Sequence, residues 1–318
     1  MGLSFQAIIA AIFSREGARI MPQQYLLRTL CAVVVTLLAN GSAMADDTAA
    51  TREPNRPKLR GTLLLNQRSR REEPRDSGQI KVEERAVEWQ AAETAIIICD
   101  VWDDIYCQRA LQRIGVLAPE INRAVTAARD RGVMIIHAPS GTMDVYADTP
   151  YRRRMQQAAK ADPPVPIAGW CYVDHEREPE LPLDVSNPCD DPEPPPQVRR
   201  YHRENPAIDI TGFDGVSDSG VEIYNFLRQE GIKNVAIQGV HTNMCVLGRS
   251  FGIRQMVRLG MNVVLVRDLT DAMYDPRQPP HVSHARGTEL VVEHIERYWC
   301  PSIESRDLTR TVAGSDGP

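Results

Sequence analysis

Positive charge is scarce in this sequence, and lysine especially so. The 318 residues include 37 Lys and Arg against 42 Asp and Glu, which gives a formal net charge of −5. The lysines are Lys58, Lys81, Lys160 and Lys233. Because nucleic-acid binding depends on a basic face, this balance argues against a nucleic-acid partner. The sequence also has no internal repeat, which argues against a solenoid or propeller.

An uninterrupted run of roughly 20 apolar residues, the length that spans a bilayer, is also missing. The most apolar stretch follows Arg28, is broken at Asn40, and leads into Ala43-Met44-Ala45. A basic residue, an apolar core of about a dozen residues and an A-x-A ending are typical of a cleaved secretory signal. We expect residues 1–45 to be an N-terminal extension and signal peptide, and the protein to be periplasmic or secreted, without membrane contact after cleavage. The alternative is a hydrophobic helix buried in the domain.

Six cysteines follow residue 45, and export would permit disulfides among them. They are Cys99, Cys107, Cys171, Cys189, Cys245 and Cys300. Two of them flank a loop rich in Pro and Asp with few apolar residues, CYVDHEREPELPLDVSNPC. We predict a Cys171–Cys189 disulfide, which would stabilise the fold by on the order of 3 kcal/mol in the chain-entropy model.

Residues 46–90 are rich in charge and proline, which predicts an extended arm with one short strand near Gln79–Trp89. A cluster of basic residues in this arm is interleaved with Glu72, Glu73 and Asp76, and we interpret it as a solvated linker. Its members are Arg68, Arg70, Arg71 and Arg75.

Residues 91–318 form the predicted folded domain, in which strands and helices alternate. AIIICD (95–100) is continuously apolar, as expected of a strand buried on both faces, and a helical pattern at 116–131 leads to a second such strand, VMIIHAP. After an irregular insertion at 139–205, the alternation resumes as helix 219–230, strand 233–240, helix 244–260, strand 261–268 and helix 286–298. This order predicts an α/β, three-layer Rossmann-like fold with a mostly parallel sheet of about six strands. We expect the insertion to form a lid or a subunit contact, and a subunit contact would make the protein a homo-oligomer.

Polar residues stand at or near the ends of three predicted strands: Asp100, His137 and the segment HTNMC (241–245). Carboxyl ends of parallel strands share one edge of the sheet, so we expect these residues to converge. Cys245 would begin a helix, whose N–H groups and dipole would lower the thiol pKa and stabilise an oxyanion. Asp100 would accept the thiol proton and return it to a leaving amine. The alternative is that Cys245 is a buried, inert cysteine.

GVHTNMCV, with the preceding DSGVEIYNFLRQEGIKNVAIQ and the earlier IIICD, resembles the isochorismatase-like cysteine hydrolases. This superfamily includes nicotinamidase and N-carbamoylsarcosine amidase, and the resemblance covers residues 92–300. It implies that Cys245 is the nucleophile and Asp100 its acid/base partner. It also implies a cis peptide at Val240–His241, in a turn where the backbone of His241, Thr242 and Met244 faces the substrate.

The third family residue is a lysine ahead of the Cys-bearing strand, and no lysine of this chain occupies that segment. The segment RRYHRENPAI offers His202, Arg199 and Arg200 as replacements, with Arg203 nearby. Arg would keep the charge but exchange no proton near neutral pH, whereas His202 could do both. The alternative is that these residues form a solvated basic turn.

Further departures from the family concern the substrate. Trp102 stands where many members carry Gln, which predicts a more aromatic pocket at that position. We also expect His137 to line the substrate pocket. The Asp-x-His metal cluster of nicotinamidase is not matched, and we expect no metal and no cofactor. The spacing of His281, His284 and His294 does not suffice for a zinc site. We expect Arg249 on a helix surface and Asp268 as a capping residue.

Family members named for isochorismate lack the nucleophilic Cys, so Cys245 favours attack on a carbonyl carbon over vinyl-ether cleavage. We therefore expect an exported cysteine hydrolase that cleaves a C–N bond of a small amide or carbamoyl compound through a Cys245 thioester. Two alternatives remain open: hydrolysis of a non-amide substrate, and a catalytically silent small-molecule-binding or assembly protein that retains the fold.

Overall fold

An eight-stranded sheet organises the described part of the chain. The computed structural model describes residues 56–74, 77–313 and 315. The strands are β1 Thr62–Glu72, β2 Ile80–Gln90, β3 Thr94–Cys99, β4 Met134–Ala138, β5 Gly215–Val216, β6 Asn234–Val240, β7 Asn262–Asp271 and β8 Ser302–Ile303. Their order across the sheet is β2-β1-β8-β7-β6-β3-β4-β5.

The strands from β3 to β8 pair in parallel, as the sequence pattern predicts. β3 and β6 are buried at every residue, because helices cover both faces of the sheet. One apolar layer includes Ile97 and Phe226, and the layer on the other face includes Ile96 and Ile114. The prediction of an α/β, three-layer Rossmann-like fold is confirmed. The sheet also contains β1 and β2, which precede the domain predicted over residues 91–318.

The helices begin and end at residues that suit those positions. They are α1 Gln108–Asp130, α2 Pro150–Gln156, α3 Gly220–Glu230, α4 Cys245–Gly248, α5 Ile253–Arg258 and α6 His284–Tyr298. Ser219 caps α3 by accepting a hydrogen bond from the Glu222 N–H, and Gly231 ends the helix with a φ of 71°. The single helix predicted over 244–260 is wrong, since residues 249–252 separate α4 from α5.

The N-terminal arm contains a β-hairpin. β1 and β2 pair in antiparallel register from Thr62↔Gln90 to Glu72↔Ile80, and β1 extends the sheet beside β8. The prediction near Gln79–Trp89 located β2 but missed β1. The apolar part of β1 is short: Leu63 and Leu65 are fully buried, and the rest of the strand after Leu65 is polar or charged.

The solvated-linker interpretation is wrong for Arg68 and Arg70, which lie in β1 of this hairpin. Arg68 and Arg70 each place Nε 2.8 Å from a carboxylate oxygen of Glu296, whose side chain is fully buried. Arg71 lies 2.7 Å from Glu83 on the neighbouring strand. A buried carboxylate requires such partners, so Arg68 and Arg70 fasten the hairpin to α6, whereas the pair of Arg71 lies at the surface. Arg75 and Asp76 lie outside the described residues.

The Cys171–Cys189 prediction is wrong, because Cys189 bonds to Cys107 with a Cα–Cα distance of 5.6 Å. Cys171 is a buried free thiol that donates to Gln255. The loop between Cys171 and Cys189 needs no covalent closure, since its Glu178 is buried against Arg254 at 2.7 Å and His294 at 2.7 Å. The disulfide instead joins the insertion to the residue that precedes α1.

Residues 1–45, predicted as extension and signal peptide, lie outside the described residues, as does the start of the arm at 46–55. Within the part that the structure describes, no helix has both the length and the apolar character needed to cross a bilayer.

The disulfide generates a stability prediction. It closes a separation of 82 residues, so Cys189→Ser should lower the free energy of unfolding by about 4.5 kcal/mol in the chain-entropy model. Denaturant unfolding measures this difference, with Cys171→Ser as a control that breaks no bridge. Peptide mass mapping without reductant should recover a Cys107–Cys189 cross-link. A cross-linked peptide that contains Cys171 would contradict the assignment, as would equal free energies of unfolding for Cys189→Ser and Cys171→Ser.

Candidate active site

The site lies where the neighbouring strands β3 and β6 end. Asp100 directly follows β3, and Cys245 begins α4 after the turn that leaves β6. Gly239 permits this approach: it pairs with Cys99, and a Cβ at Gly239 would lie 2.2 Å from the Cys99 carbonyl oxygen. The sheet therefore brings the predicted nucleophile and its predicted acid/base partner together.

Asp100 is fully buried and held at both carboxylate oxygens. Its φ of 51° is the left-handed conformation that Asp and Asn tolerate better than most residues. The Ser140 N–H donates to Oδ1 at 2.8 Å, and Arg249 Nε donates to Oδ2 at 2.8 Å. These two contacts hold the carboxylate in place beside Cys245, close enough for its charge to raise the pKa of the thiol.

Cys245 is 7% exposed, and its thiol is not activated at rest in the way the sequence predicts. Burial raises the pKa of the Cys245 thiol well above its usual value, and the Asp100 charge raises it further, while Arg249 lowers it. The helix that Cys245 begins is only four residues long, so its dipole contributes little. The expectation of a lowered thiol pKa is therefore wrong: Cys245 rests as a protonated thiol beside a carboxylate.

Arg249 supplies the cation of the site, which corrects its prediction as a helix-surface residue. It caps the C-terminus of α4 in an extended conformation, with φ −60° and ψ 156°, and its side chain turns inward to Asp100. Although burial lowers the pKa of Arg249, the charge of Asp100 raises it above the ordinary value, so the guanidinium is permanently charged.

The lysine replacements proposed from the sequence lie elsewhere. His202 has a side chain 81% exposed beside Asp103, and Arg200 pairs with Asp104 at the surface. Arg199 donates to the Gly141 carbonyl oxygen and lines the cavity described below, but the cation paired with Asp100 is Arg249.

The turn before Cys245 contains the Val240–His241 cis peptide that the family resemblance implies. Two amides of this turn are already occupied: Thr242 N–H donates to Asp271 O at 2.9 Å, and Met244 N–H donates to His241 O at 2.9 Å. The backbone N–H of His241 lies beside the Cys245 sulfur and lowers its pKa. Of the predicted oxyanion residues, His241 is thus the one whose amide faces the reactive atom.

Cys245 opens into a cavity of about 370 Å³ with mostly aromatic and apolar walls. Trp102 stacks on Tyr201 with ring centroids 4.3 Å apart, and Trp102 Nε1 donates to Ser140 O. The prediction of Trp102 as a pocket residue is consistent with this position. The other lining residues are Ile105, Tyr106, Gln197, Val198, Arg199, His241, Met244 and Met273.

His137 does not line this cavity, which corrects its prediction as a pocket residue. It is fully buried between two carboxylates, with Nδ1 2.6 Å from Glu204 and Nε2 3.1 Å from Asp214. Burial lowers the pKa of His137, but the two carboxylates outweigh burial and raise the pKa to about 9. Arg129 from α1 pairs with Asp214 at 2.9 Å, so His137 belongs to an ionic network that ties the insertion to α1.

The other residues weighed as ligands or caps have separate structural partners. His284 bonds to Asp271 and the Tyr274 carbonyl, whereas His294 bonds to Glu178. Among the described residues, the one cluster with metal-ligand spacing is Cys107, Cys189 and Asp191, and its two sulfurs are joined in the disulfide. Asp268, a residue of β7, accepts hydrogen bonds from the backbone and the hydroxyl of Ser305.

A larger groove, of about 580 Å³, lies at the other end of the sheet. Asn234 and Asn262, the first residues of β6 and β7, line it together with Trp89 and Trp299. Cys300 lines this groove, and burial raises the pKa of its thiol. The lining carboxylates are Glu88, which is exposed, and Glu93, which pairs with Lys233 at 2.8 Å. The smaller cavity, which Cys245 lines, is therefore the candidate site.

Sequence reasoning missed Arg249, Ser140 and Tyr201 as members of the site. A signal for Arg249 was present, since Gly248 and Gly252 interrupt the helical pattern on either side of it. Ser140 and Tyr201 lie in the insertion, where periodicity gives no information.

Comparisons with known proteins place these features in context. The family model described as Isochorismatase domain matches residues 94–288. A cysteine hydrolase from Pseudomonas syringae pv. phaseolicola 1448A has a similar structure, with 19% identity, 69% of this chain and 92% of that chain covered, and a TM-score of 0.42. An isochorismatase family protein from Burkholderia thailandensis is also similar in structure, with 18% sequence identity and a TM-score of 0.39. The match covers 68% of this chain and 93% of that chain. No curated protein matches the sequence.

The buried histidines generate a pH prediction. Because the folded pKa of His137 lies above its unfolded value near 6.5, its contribution to stability is present below pH 6.5 and is lost as pH rises through about 9, roughly 3 kcal/mol in all. Burial lowers the pKa of His241 to about 4, so that imidazole is neutral at pH 7.

Histidine NMR titration should show one imidazole with a midpoint near 9 and one near 4. The variants His137→Asn and His241→Gln assign the two signals. A His137 signal that titrates below pH 7 would contradict the carboxylate clamp.

Proposed function

The chain belongs to the isochorismatase domain family and has its hydrolase fold, and on that premise we propose that it is a cysteine hydrolase acting on a C–N bond of a small amide or carbamoyl compound. The observation that carries the proposal is the place of the buried carboxylate of Asp100, which accepts a hydrogen bond from Arg249 and lies beside Cys245, a residue that lines a cavity of about 370 Å³.

In the proposed reaction, Cys245 Sγ attacks the carbonyl carbon while the thiol proton passes to Asp100. Asp100 then returns the proton to the leaving nitrogen as the C–N bond breaks, which leaves a thioester on Cys245. Water attacks the thioester with Asp100 again accepting a proton. The acid product departs, and Cys245 regains its proton.

Arg249 assists these reaction steps through its charge alone. Its guanidinium stabilises the ionised forms of Asp100 and of the attacking sulfur, since it lies within hydrogen-bond distance of the carboxylate and lowers the thiol pKa. Because an arginine exchanges no proton near neutral pH, both proton transfers fall to Asp100.

The oxyanion of the tetrahedral intermediate needs donors close to the sulfur. The His241 amide, at the cis peptide beside Cys245, is the proposed donor, together with the amide of Cys245 itself. The Thr242 and Met244 amides are excluded from this role because backbone carbonyls already occupy them.

The cavity walls bear on the substrate class. Trp102, Tyr106 and Tyr201 provide aromatic surface, and none of the described lining residues is acidic. A neutral amide with an apolar or planar body suits these walls better than a cationic one, because a cation would find no carboxylate there.

A second candidate function is a catalytically silent binding protein. Two observations favour it: burial raises the pKa of the resting Cys245 thiol, and the cation paired with Asp100 is an arginine, which exchanges no proton near neutral pH. The two candidates differ in whether Cys245 turns over.

Paired variants of Asp100 and Arg249 distinguish the candidates. In Asp100→Asn, which suits the left-handed backbone, the midpoint of iodoacetamide labelling at Cys245 should fall, and in Arg249→Gln it should rise, by about one to three pH units each. Hydrolysis, followed as ammonia release from primary amides and ureido compounds, should drop about a hundredfold or more in both.

Labelling that shifts as expected, without ammonia release by the wild type, would favour the silent protein. Ammonia release by Asp100→Asn at the wild-type rate would contradict the mechanism. Cys171→Ser serves as control, because that thiol lies outside the cavity.

We also propose that the protein is exported, on the basis of the signal-like residues 21–45. N-terminal sequencing of the protein recovered from an export-competent bacterial host should begin at Asp46. Recovery of uncleaved chain from the cytoplasm alone would contradict export.

A further inference from the structure

We infer that Trp170, contributed by the insertion, is a positioning residue that holds Arg249 against Asp100. The inference rests on the proposed function, since it concerns how the cation of that site is kept in place. It gives the irregular insertion a direct part in the chemistry.

The backbone of the insertion meets the chain at the residue that ends α4. Trp170 and Arg249 form an isolated antiparallel bridge, and the Cys171 N–H donates to the Gly248 carbonyl oxygen at 2.6 Å. This pairing keeps Arg249 extended instead of helical, which is the conformation that turns its side chain toward Asp100.

The Trp170 indole covers the same region from outside. The Arg249 guanidinium carbon lies 5.6 Å from the centre of the Trp170 ring, within the range of a cation–π contact. Gly248 makes room for the indole, because a Cβ at Gly248 would lie 2.7 Å from two of its ring atoms. Arg249 thus lies between an aromatic face and a carboxylate.

The segment that carries Trp170 is itself anchored on α5. Gln255 Oε1 accepts a hydrogen bond from the Ala168 N–H at 3.0 Å, and Arg254 Nη1 donates to the Cys171 carbonyl oxygen at 3.0 Å. Both anchoring side chains are buried. The indole therefore has a fixed position from which to restrict Arg249.

Arg249 needs this restriction because its side chain is 27% exposed, and a long side chain in contact with water has many rotamers. Removing the indole should let the guanidinium leave Asp100 part of the time. Cys245 would then lose some of the charge that lowers its pKa.

A double-mutant cycle between Trp170 and Arg249 tests the inference. Trp170→Ala should slow iodoacetamide labelling of Cys245 at pH 8 about fivefold, the fold-change that corresponds to loss of a cation–π contact. Trp170→Phe should recover most of the rate. In the Arg249→Gln background, Trp170→Ala should have no further effect, because its action passes through the arginine.

Tyr172→Ala is the matched control, since that aromatic lies two residues along the same segment with 77% of its surface exposed. It should leave labelling unchanged. Equal effects of Trp170→Ala with and without Arg249 would overturn the inference, as would a lowered melting temperature with unchanged labelling. Labelling and melting temperature do not depend on turnover. They therefore test the role of Trp170, whereas ammonia release tests the proposed hydrolysis separately.

Discussion

The ion pair between Asp100 and Arg249 is the interaction on which the site depends. A carboxylate without solvent exposure is costly unless it is paired and hydrogen-bonded, and Asp100 has Arg249 on one oxygen and the Ser140 amide on the other. The pair orients the carboxylate toward Cys245 and sets the charge around the sulfur. The close strand approach at Gly239 and the break after α4 both serve to bring these three side chains together.

The insertion completes this arrangement instead of merely covering it. Ser140 holds Asp100, Trp170 packs over Arg249, and Tyr201 forms the cavity wall with Trp102. Three buried connections tie the insertion down: the Cys107–Cys189 disulfide, the Glu178–Arg254 pair and the network around His137. A segment with little regular structure is thereby anchored to the rest of the domain.

The sequence predicts the central sheet well because its strands are buried on both faces, so β3 and β6 read as unbroken apolar runs. Asp100 and Cys245 follow from their places at strand ends and from the family resemblance. Arg249 does not, because its position depends on a helix break that the insertion enforces from about 80 residues away, a contact that local periodicity does not encode. His137 and the disulfide fail for the same reason: their partners Glu204, Asp214 and Cys189 lie in or beyond the irregular segment.

The central claim is that Cys245 forms a covalent acyl intermediate despite resting as a protonated thiol. Rapid mixing with p-nitrophenyl acetate tests it most directly, because this activated ester acylates a competent cysteine without a specific substrate. The account predicts a burst of one equivalent of p-nitrophenolate and an acetyl group on the Cys245 peptide, both lost in Cys245→Ala. No burst, or acetylation only at another residue, would contradict it.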